Sequence, residues 1–124
     1  MTGSTNSQMA ERDLARLLAT LDPHLHAERY SFSETSNPTL GEGDFAIVRE
    51  AEGLTLVHPD PRGEWARISL GVHSSLDAVG MTAALSARLT EAGISANVVA
   101  AFYHDHFFVP WDRREEALAC LRPA

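Results

Sequence analysis

The chain has 124 residues, 44% of them hydrophobic, which is enough for one compact globular unit or for two very small units that share a core. Its formal net charge is −7, and all ten positive charges are arginines without a basic cluster, which argues against a nucleic-acid partner. No apolar run approaches the length of a membrane span, so no membrane association is predicted. The polar N-terminus lacks a hydrophobic signal region, and the single cysteine, Cys120, excludes an internal disulfide, so we expect a cytoplasmic protein.

The first half of the chain predicts one helix followed by three strands. Residues 1–8 lack apolar anchors and are expected to be disordered. Apolar residues then recur at helical spacing from Met9 until Asp22 and Pro23 end the segment. The remaining predicted elements of this half are a strand at 27–34, a loop at 35–44, and a hairpin with strands at 45–50 and 53–59.

The second half contains a predicted strand at 65–72 and a predicted hairpin with strands at 94–102 and 106–110. The side chains of the first strand alternate, and those expected to face the core are Ala66, Ile68, Leu70 and Val72. A short last helix follows the hairpin. Asp112 together with Glu115 is expected to cap that helix.

The strongest single signal is a helix predicted at 76–92. Ser74 and Asp77 form a capping-box pattern before it, and Gly93 supplies a stop after it. The three charged residues of this helix fall within one narrow stripe, so most of its circumference is apolar. Such a helix needs to be covered on more than one side, by a sheet and by another helix or subunit.

The element order is α-β-β-β followed by β-α-β-β-α, which indicates an α+β fold. The second part is the start of a ferredoxin-like β-α-β-β-α-β unit that lacks its final strand. That strand has to come from the N-terminal half or from a partner chain. The segments LTLVHPDPR and HFFVPWDRR both run from a strand into Pro, Asp and Arg, a weak echo that suggests two related units.

In a ferredoxin-like unit, the loop after the first strand and the turn between the second and third strands lie at the same end of the sheet. This arrangement places residues 71–75 beside residues 103–106. A helix that begins after this loop directs free N–H groups and the positive end of its dipole at the loop, which suits a carboxylate. Ser74 and Ser75 can add hydroxyl donors, and Asp105 can pair with an ammonium group. The geometry therefore predicts a site for a zwitterionic α-amino acid.

Simpler interpretations stay open for the same residues. Ser74 can be only a helix cap, and Asp105 only a turn residue. His104 and His106 can be only solvated turn residues. Histidine and aspartate side chains at one end of the sheet can also form a zinc or other transition-metal site, and this metal-binding alternative uses His73, His104, Asp105 and His106. A third alternative is a ligand-free interaction module in which the long helix is a dimer surface. Hydrolytic catalysis is not supported, because the sequence has no nucleophile-elbow motif.

Three segments stand out: EGLTLV, ARISLGVHSSLDAVGMTAALS and AGISANVVAAFYHDHFFVP, within which VHSSLDAVGMTAALS and NVVAAFYHDHFFVP are long and specific blocks. In these blocks, and from about Leu14 to Leu121, the chain resembles the small bacterial tandem ACT-domain proteins. The resemblance implies two ferredoxin-like ACT units, at 9–61 and 62–124, with their helices on one face, in a homodimer. It also implies a non-catalytic regulatory protein that binds a small-molecule effector, an amino acid, and that uses no cofactor.

The resemblance also implies where the effector binds. ACT units use the loop between their first strand and first helix, here Gly71–Leu76, and nearby strand residues of a partner unit. An aspartate at the position of Asp105 is an expected ligand contact in amino-acid-sensing tandem ACT proteins, and His104 and His106 flank it where other ACT proteins carry different residues. The predicted ligand-binding residues are Gly71, Val72, His73, Ser74, Ser75, Leu76, His104, Asp105 and His106.

Overall fold

The computed structural model describes residues 10–123, and this part of the chain contains three α-helices and six strands. Residues 1–8, predicted to be disordered, lie outside it. In chain order the elements are α1 (Leu14–Ala19), β1 (Pro23–Thr35), β2 (Ala46–Arg49), β3 (Leu54–Pro59), β4 (Trp65–Leu70), α2 (Met81–Glu91), β5 (Asn97–Ala100), β6 (Asp105–Pro110), a 3₁₀ turn (Trp111–Arg113) and α3 (Arg114–Cys120).

The six strands form one sheet in the order β2-β3-β1-β4-β6-β5, and every pairing is antiparallel. β6 lies between β4 and β5, as a ferredoxin-like unit requires, and β1 pairs with the free side of β4. The strand that the C-terminal half lacks is therefore supplied by the N-terminal half of the same chain. The predicted α+β, ferredoxin-like fold is confirmed.

β1 is long enough to serve both halves of the sheet. Its residues 23–30 pair with β4 and its residues 30–35 pair with β3, with a register shift between Leu25 and Arg29. The order β4-β1-β3-β2 in the N-terminal half repeats the order β1-β4-β6-β5 in the C-terminal half. β1 and β4 therefore belong to both halves. The domain boundary predicted after residue 61 falls in the turn between β3 and β4 and stays a prediction.

All three helices pack on one face of the sheet, where most of the apolar core lies. The buried core residues on this face are Leu17, Leu21, Ala66, Ile68, Leu70, Met81, Leu85, Leu89, Ile94, Phe107, Val109, Ala117 and Leu121. The predicted inward-facing residues of β4 are among them, whereas Val72 lies beyond the strand and is half-buried. Within residues 10–123, no helix is both long enough and apolar enough to cross a membrane.

The opposite face carries no helix among the described residues and holds a second, aromatic core. This core consists of Tyr30, Val57 and Phe108, with Phe45, Ala46, Trp65 and Val99 packed against it. The ring centroid of Phe45, which precedes β2 at one edge of the sheet, lies 4.8 Å from that of His106 on β6. Because β2 and β6 are four positions apart in the strand order, the sheet curls across this face.

The long helix begins later than the sequence predicts. α2 starts at Met81 rather than at residue 76, and Gly80, with φ +99°, is its N-cap. The predicted capping box is wrong: Asp77 instead accepts a hydrogen bond from Arg12 Nη2 at 2.7 Å, and Ser74 lies outside the helix. The left-handed conformation of Gly80, which a glycine adopts without steric cost, turns the chain into the helix.

The first helix and the first strand also differ from their predicted bounds. α1 begins at Leu14, where the side chain of Asp13 accepts a hydrogen bond from Arg16 N at 3.1 Å. β1 begins at Pro23 rather than at residue 27, directly after Asp22, which adopts φ +49°. The turn at Asp22 is tight enough for the strand to start at once.

In the C-terminal half, the predicted end of α2 is confirmed, whereas the predicted cap of α3 is wrong. Gly93, with φ +73°, follows the last residues of α2 and confirms the predicted stop. α3 begins at Arg114, and its N-cap residue Arg113 makes no capping hydrogen bond through its side chain. The predicted cap by Asp112 with Glu115 is wrong because the 3₁₀ turn occupies the position of the cap.

Candidate functional site

A small pocket opens where the loop after β4 meets the start of β6. Four of the residues predicted to bind a ligand line it: Ser74, Ser75, Leu76 and Asp105. Its other lining residues come from the rest of the loop, the start of α2 and the end of β5, and they are Ala78, Met81, Thr82 and Ala100. The pocket has a volume of about 60 Å³, which suits the polar head group of a ligand better than a whole molecule.

Asp105 is the buried acid of this pocket. The residue is 6% exposed, and its Oδ2 accepts a hydrogen bond from Ser74 Oγ at 3.4 Å. Burial raises the pKa of Asp105, while the hydrogen bond from Ser74 and the proximity of His104 act in the opposite direction. A carboxylate with one long hydrogen bond keeps most of its acceptor capacity, so an ammonium group can bind to it.

The start of α2 borders the same pocket. Met81 and Thr82 of its first turn line the pocket, and the N-cap Gly80 provides no side-chain hydrogen bond. No acidic residue lies in this first turn. The backbone N–H groups and the positive end of the helix dipole are therefore open to a carboxylate. The helix start lies five residues later than the sequence predicts, yet it is still close to Asp105.

The segment before α1 holds the loop in place. Glu11 N donates to His73 O and Ser75 N donates to Glu11 O, each at 2.8 Å. Gly71 N donates to Asp22 O at 2.8 Å, and any side chain at position 71 would collide with the Asp22 carboxylate. These backbone contacts fix the loop through residues distant in sequence. Gly71 itself lies at the beginning of the loop and does not line the pocket.

His73, His104 and Val72 lie beside the pocket and do not line it. His104 Nδ1 and Val72 O are 3.4 Å apart, which ties the hairpin turn to the loop. The ring centroid of His73 lies 5.6 Å from that of Tyr103 and 6.2 Å from that of Phe102. These predicted site residues support the loop from the outside in this structure.

His106 lies on the other face of the sheet from Asp105, because adjacent residues of a strand point to opposite faces. Its Nδ1 is 2.7 Å from Ser69 Oγ, and this hydroxyl is 2.8 Å from His26 Nε2. The structure therefore does not bring His106 to the pocket. It places His106 in a partly buried chain of polar groups that spans β1, β4 and β6.

The His26–Ser69–His106 chain is a feature that the sequence analysis missed. Burial, and after it the positive charge of Arg67, lowers the pKa of both histidines to about 4, so both are neutral at neutral pH. The guanidinium carbon of Arg67 lies 4.4 Å from the ring centroid of Phe45. Strand alternation could have placed Ser69 and His106 on one face, but the pairing of β1 with β4 cannot be read from the sequence.

The geometry gives no support to the metal-site alternative. Within residues 10–123, no group of three or more His, Cys, Asp or Glu side chains is arranged so that it could hold a metal ion. His106 faces away from Asp105, and the ring centroids of His73 and His104 are 6.5 Å apart. These four side chains do not converge on one point.

Two ACT domain models match the chain, one at residues 9–71 and the other at residues 62–123. The two ranges overlap at 62–71, which contains β4, the strand that both halves of the sheet use. The tandem arrangement that the sequence blocks implied is therefore confirmed.

Solved structures with the same fold span nearly the whole chain. A Vibrio cholerae protein of unknown function, described as a possible transport protein, is 40% identical over 87% of this chain and 92% of that chain, with a TM-score of 0.72. A protein from Agrobacterium tumefaciens is 20% identical over 82% of this chain and 86% of that chain, with a TM-score of 0.66. The ligand-free regulatory subunit of aspartate kinase from Thermus thermophilus is 10% identical over 83% of this chain and 95% of that chain, with a TM-score of 0.62.

A comparison with curated proteins gave no match. The two domain matches together span most of the sequence, and the structural similarity extends over the same region. The chain belongs to the ACT domain family, whose members are typically regulatory units that bind small molecules.

Proposed function

We propose that the chain is a non-catalytic regulatory protein that binds an amino acid at the Asp105 pocket. The α-carboxylate would lie at the start of α2, and the ammonium group would bind to Asp105. The observation that carries this proposal is a buried carboxylate, 6% exposed, beside a helix start that no side chain caps. An anion-binding group and a cation-binding group across one small pocket match the two charges of a zwitterion.

The pocket requires a second copy of the chain to enclose a whole amino acid. Its volume of about 60 Å³ leaves little room for a ligand side chain. The two loops beside it carry large apolar residues that are between 64% and 83% exposed: Leu76, Val79, Phe102 and Tyr103. Exposed apolar groups concentrated at one place mark an interaction surface. In the proposed homodimer these loops are covered, and the side chain of the ligand lies between the two copies.

The regulatory part of the proposal rests on the family to which the chain belongs. ACT domains are typically regulatory, and the Thermus thermophilus protein is a regulatory subunit. The pocket offers hydroxyls, a carboxylate and backbone donors, which can bind and orient a ligand. We propose a cytoplasmic location, which agrees with the single cysteine, Cys120.

A thermal-shift screen of the full chain with each of the twenty amino acids tests this function. A ligand present at 100 times its Kd stabilises a protein by about 2.7 kcal/mol, so binding raises the Tm clearly. We expect one amino acid or a chemically related group to do so, and we expect the double variant Ser75→Ala, Asp105→Ala to lose the effect. Glu91→Ala, an exposed change at the far end of α2, is the matched control. Stabilisation by none of the twenty would contradict the proposal.

A further inference from the structure

We infer a second ligand site, at the junction between the two halves of the sheet, for a small zwitterion that carries an apolar group. The cavity at this junction has a volume of about 520 Å³, within the range of roughly 300–1,000 Å³ that is usual for small-molecule sites. It lies at the Trp65 end of β4, whereas the Asp105 pocket lies beyond the Leu70 end. This inference is independent of the function proposed for the Asp105 pocket.

The cavity lies where the two related segments of the sequence meet. Pro59 pairs with Tyr30, Tyr30 with Trp65, and Trp65 with Pro110, so these four residues form one row across the sheet. β3 ends at one end of this row and β6 ends at the other. The similar stretches at 59–62 and 110–113 begin at the last residues of these two strands, and both contribute residues to the lining of the cavity.

Backbone contacts hold the walls of the cavity. Trp111 N donates to Glu64 O, and Gly63 N donates to Asp60 O, each at 2.8 Å. Gly63 lies so close to the backbone of Tyr30 that any side chain at position 63 would collide with it. These contacts join the turn between β3 and β4 to the turn after β6. The cavity is therefore formed before any ligand binds.

Arg29 is a preorganised cation in this cavity. Its guanidinium carbon lies 4.6 Å from the centroid of the Trp111 ring, and its Nη1 donates to Gly63 O at 3.1 Å. This is its one side-chain hydrogen bond to a residue in the range 10–123, so its other N–H groups are available. A stacked guanidinium with free donors suits bidentate binding of a carboxylate. Arg62, which is exposed, adds positive charge at the rim.

Two carboxylates, those of Glu64 and Asp112, line the same cavity. Among the described residues, neither they nor Arg29 and Arg62 take part in an ion pair. Charges of both signs are thus held apart around one cavity, an arrangement complementary to a ligand that has both charges. Trp65 and Pro110 also line the cavity and provide apolar contact for a flat side group, whereas the Trp111 ring already carries the guanidinium groups of Arg29 and Arg114, at 4.6 and 3.9 Å from its centroid.

The two tryptophans make this site directly observable. Trp65 and Trp111 are the only tryptophans of the chain, and both line the cavity. The probes are L-phenylalanine and glycyl-L-phenylalanine, added to the full chain while the two indole N–H signals are followed by NMR. The matched controls are 3-phenylpropionate, which lacks the ammonium group, and phenethylamine, which lacks the carboxylate. We expect a saturable shift of the indole signals with at least one zwitterion, and binding of each control weaker by about tenfold or more.

Substitutions separate this site from the Asp105 pocket. We expect Arg62→Gln and Glu64→Gln each to weaken the binding of the zwitterion by about tenfold. Two matched controls, Arg49→Gln and Glu91→Gln, remove the same charges at exposed positions outside the cavity and should leave the affinity for the zwitterion unchanged. Asp105→Asn should also leave this affinity unchanged. Response to only one of the two zwitterions identifies an amino acid or a peptide as the ligand type. The inference is overturned if neither zwitterion gives a saturable shift, if the singly charged controls bind equally well, or if Asp105→Asn abolishes the shift while Arg62→Gln does not.

Discussion

Asp105 is a carboxylate whose charge is costly in the ligand-free protein. Burial raises its pKa, so the folded state holds this proton more tightly than the unfolded state does. The contribution of Asp105 to the stability of the fold therefore decreases as the pH rises through this raised pKa. We expect Asp105→Asn to leave the free energy of unfolding at pH 7 unchanged or to raise it by up to about 1 kcal/mol, measured by urea denaturation without ligand. A loss of more than about 2 kcal/mol would mean that the charge is a structural requirement.

His26 and His106 have the opposite effect on the pH dependence of stability. Their pKa is lowered from 6.5 to about 4, so between these two pH values the unfolded state binds more protons than the folded state. The contribution of these two histidines to the stability of the fold is therefore fully present above pH 6.5 and decreases as the pH falls towards 4. We expect urea denaturation to show a lower free energy of unfolding at pH 4.5 than at pH 7, and the variant His26→Gln, His106→Gln to show a smaller difference. An unchanged pH dependence in this variant would contradict the assignment.

Among individual residues, the sequence identified the pocket residues that lie on the loop after β4 and at the turn before β6. Ser74, Ser75 and Asp105 were placed together because a ferredoxin-like unit brings these two segments to one end of the sheet. The prediction that His106 lies at the same site was wrong because β6 begins at Asp105. The two residues are therefore neighbours in a strand, and their side chains point to opposite faces of the sheet. His26 could not be linked to His106 because two long-range pairings bring them together.

The start of α2 is the element on which the proposed carboxylate site depends. Gly80 has φ +99°, and a Cβ at this position would lie 3.2 Å from Leu14 Cδ2. We expect Gly80→Ala to destabilise the protein by about 1–2 kcal/mol and to weaken ligand binding, because the first turn of α2 moves.

Gly43→Ala provides the matched control for this change. Gly43 also has a positive φ, +86°, but no atom lies within 4 Å of its added Cβ, and it lies far along the chain from the pocket. It should carry a similar backbone cost without any effect on ligand binding. Chemical denaturation and titration calorimetry of both variants test this, and equal ligand affinity in wild type and Gly80→Ala would contradict it.

The bounds of the elements show which structural information the sequence holds locally. Gly93 ended α2 as predicted, because a helix stop depends on neighbouring residues. The start of α2 was mispredicted because Asp77 binds Arg12, which is 65 residues away in the sequence. A capping pattern therefore competes with long-range contacts that no local rule contains.

The whole molecule is a single sheet that two ACT units share, and this predicts one cooperative unfolding transition. β1 and β4 contribute to both units, so neither unit keeps a complete sheet without the other. Leu85→Ala in the helix-side core should cost about 2–5 kcal/mol, and Val57→Ala in the aromatic core about 1–3 kcal/mol.

Both substitutions should shift the same transition, whether circular dichroism or tryptophan fluorescence follows it. Two separate transitions, with each variant shifting a different one, would contradict the shared sheet. Coincident transitions that both move to lower denaturant concentration would agree with it.

At the scale of the molecule, the sequence predicted the class of fold and the need for a strand from elsewhere. The missing strand is β1, whose 13 residues reach from β4 to β3. The curl that brings Phe45 to His106 was not predicted, because twist and curvature arise from the assembled sheet and not from any one strand. For the same reason the junction cavity, which three separate segments line, has no signature in the sequence.

The assignment of the Asp105 pocket as an amino-acid site can be tested by titration calorimetry. The ligand is the amino acid that gives the largest rise in Tm, and the two proteins compared are the wild type and Asp105→Asn. We expect saturable binding to the wild-type chain and binding weaker by about tenfold or more to the variant, since the ammonium group loses its charged partner. The same affinity for both proteins, or no binding to the wild type, would contradict the assignment of this pocket as an amino-acid site.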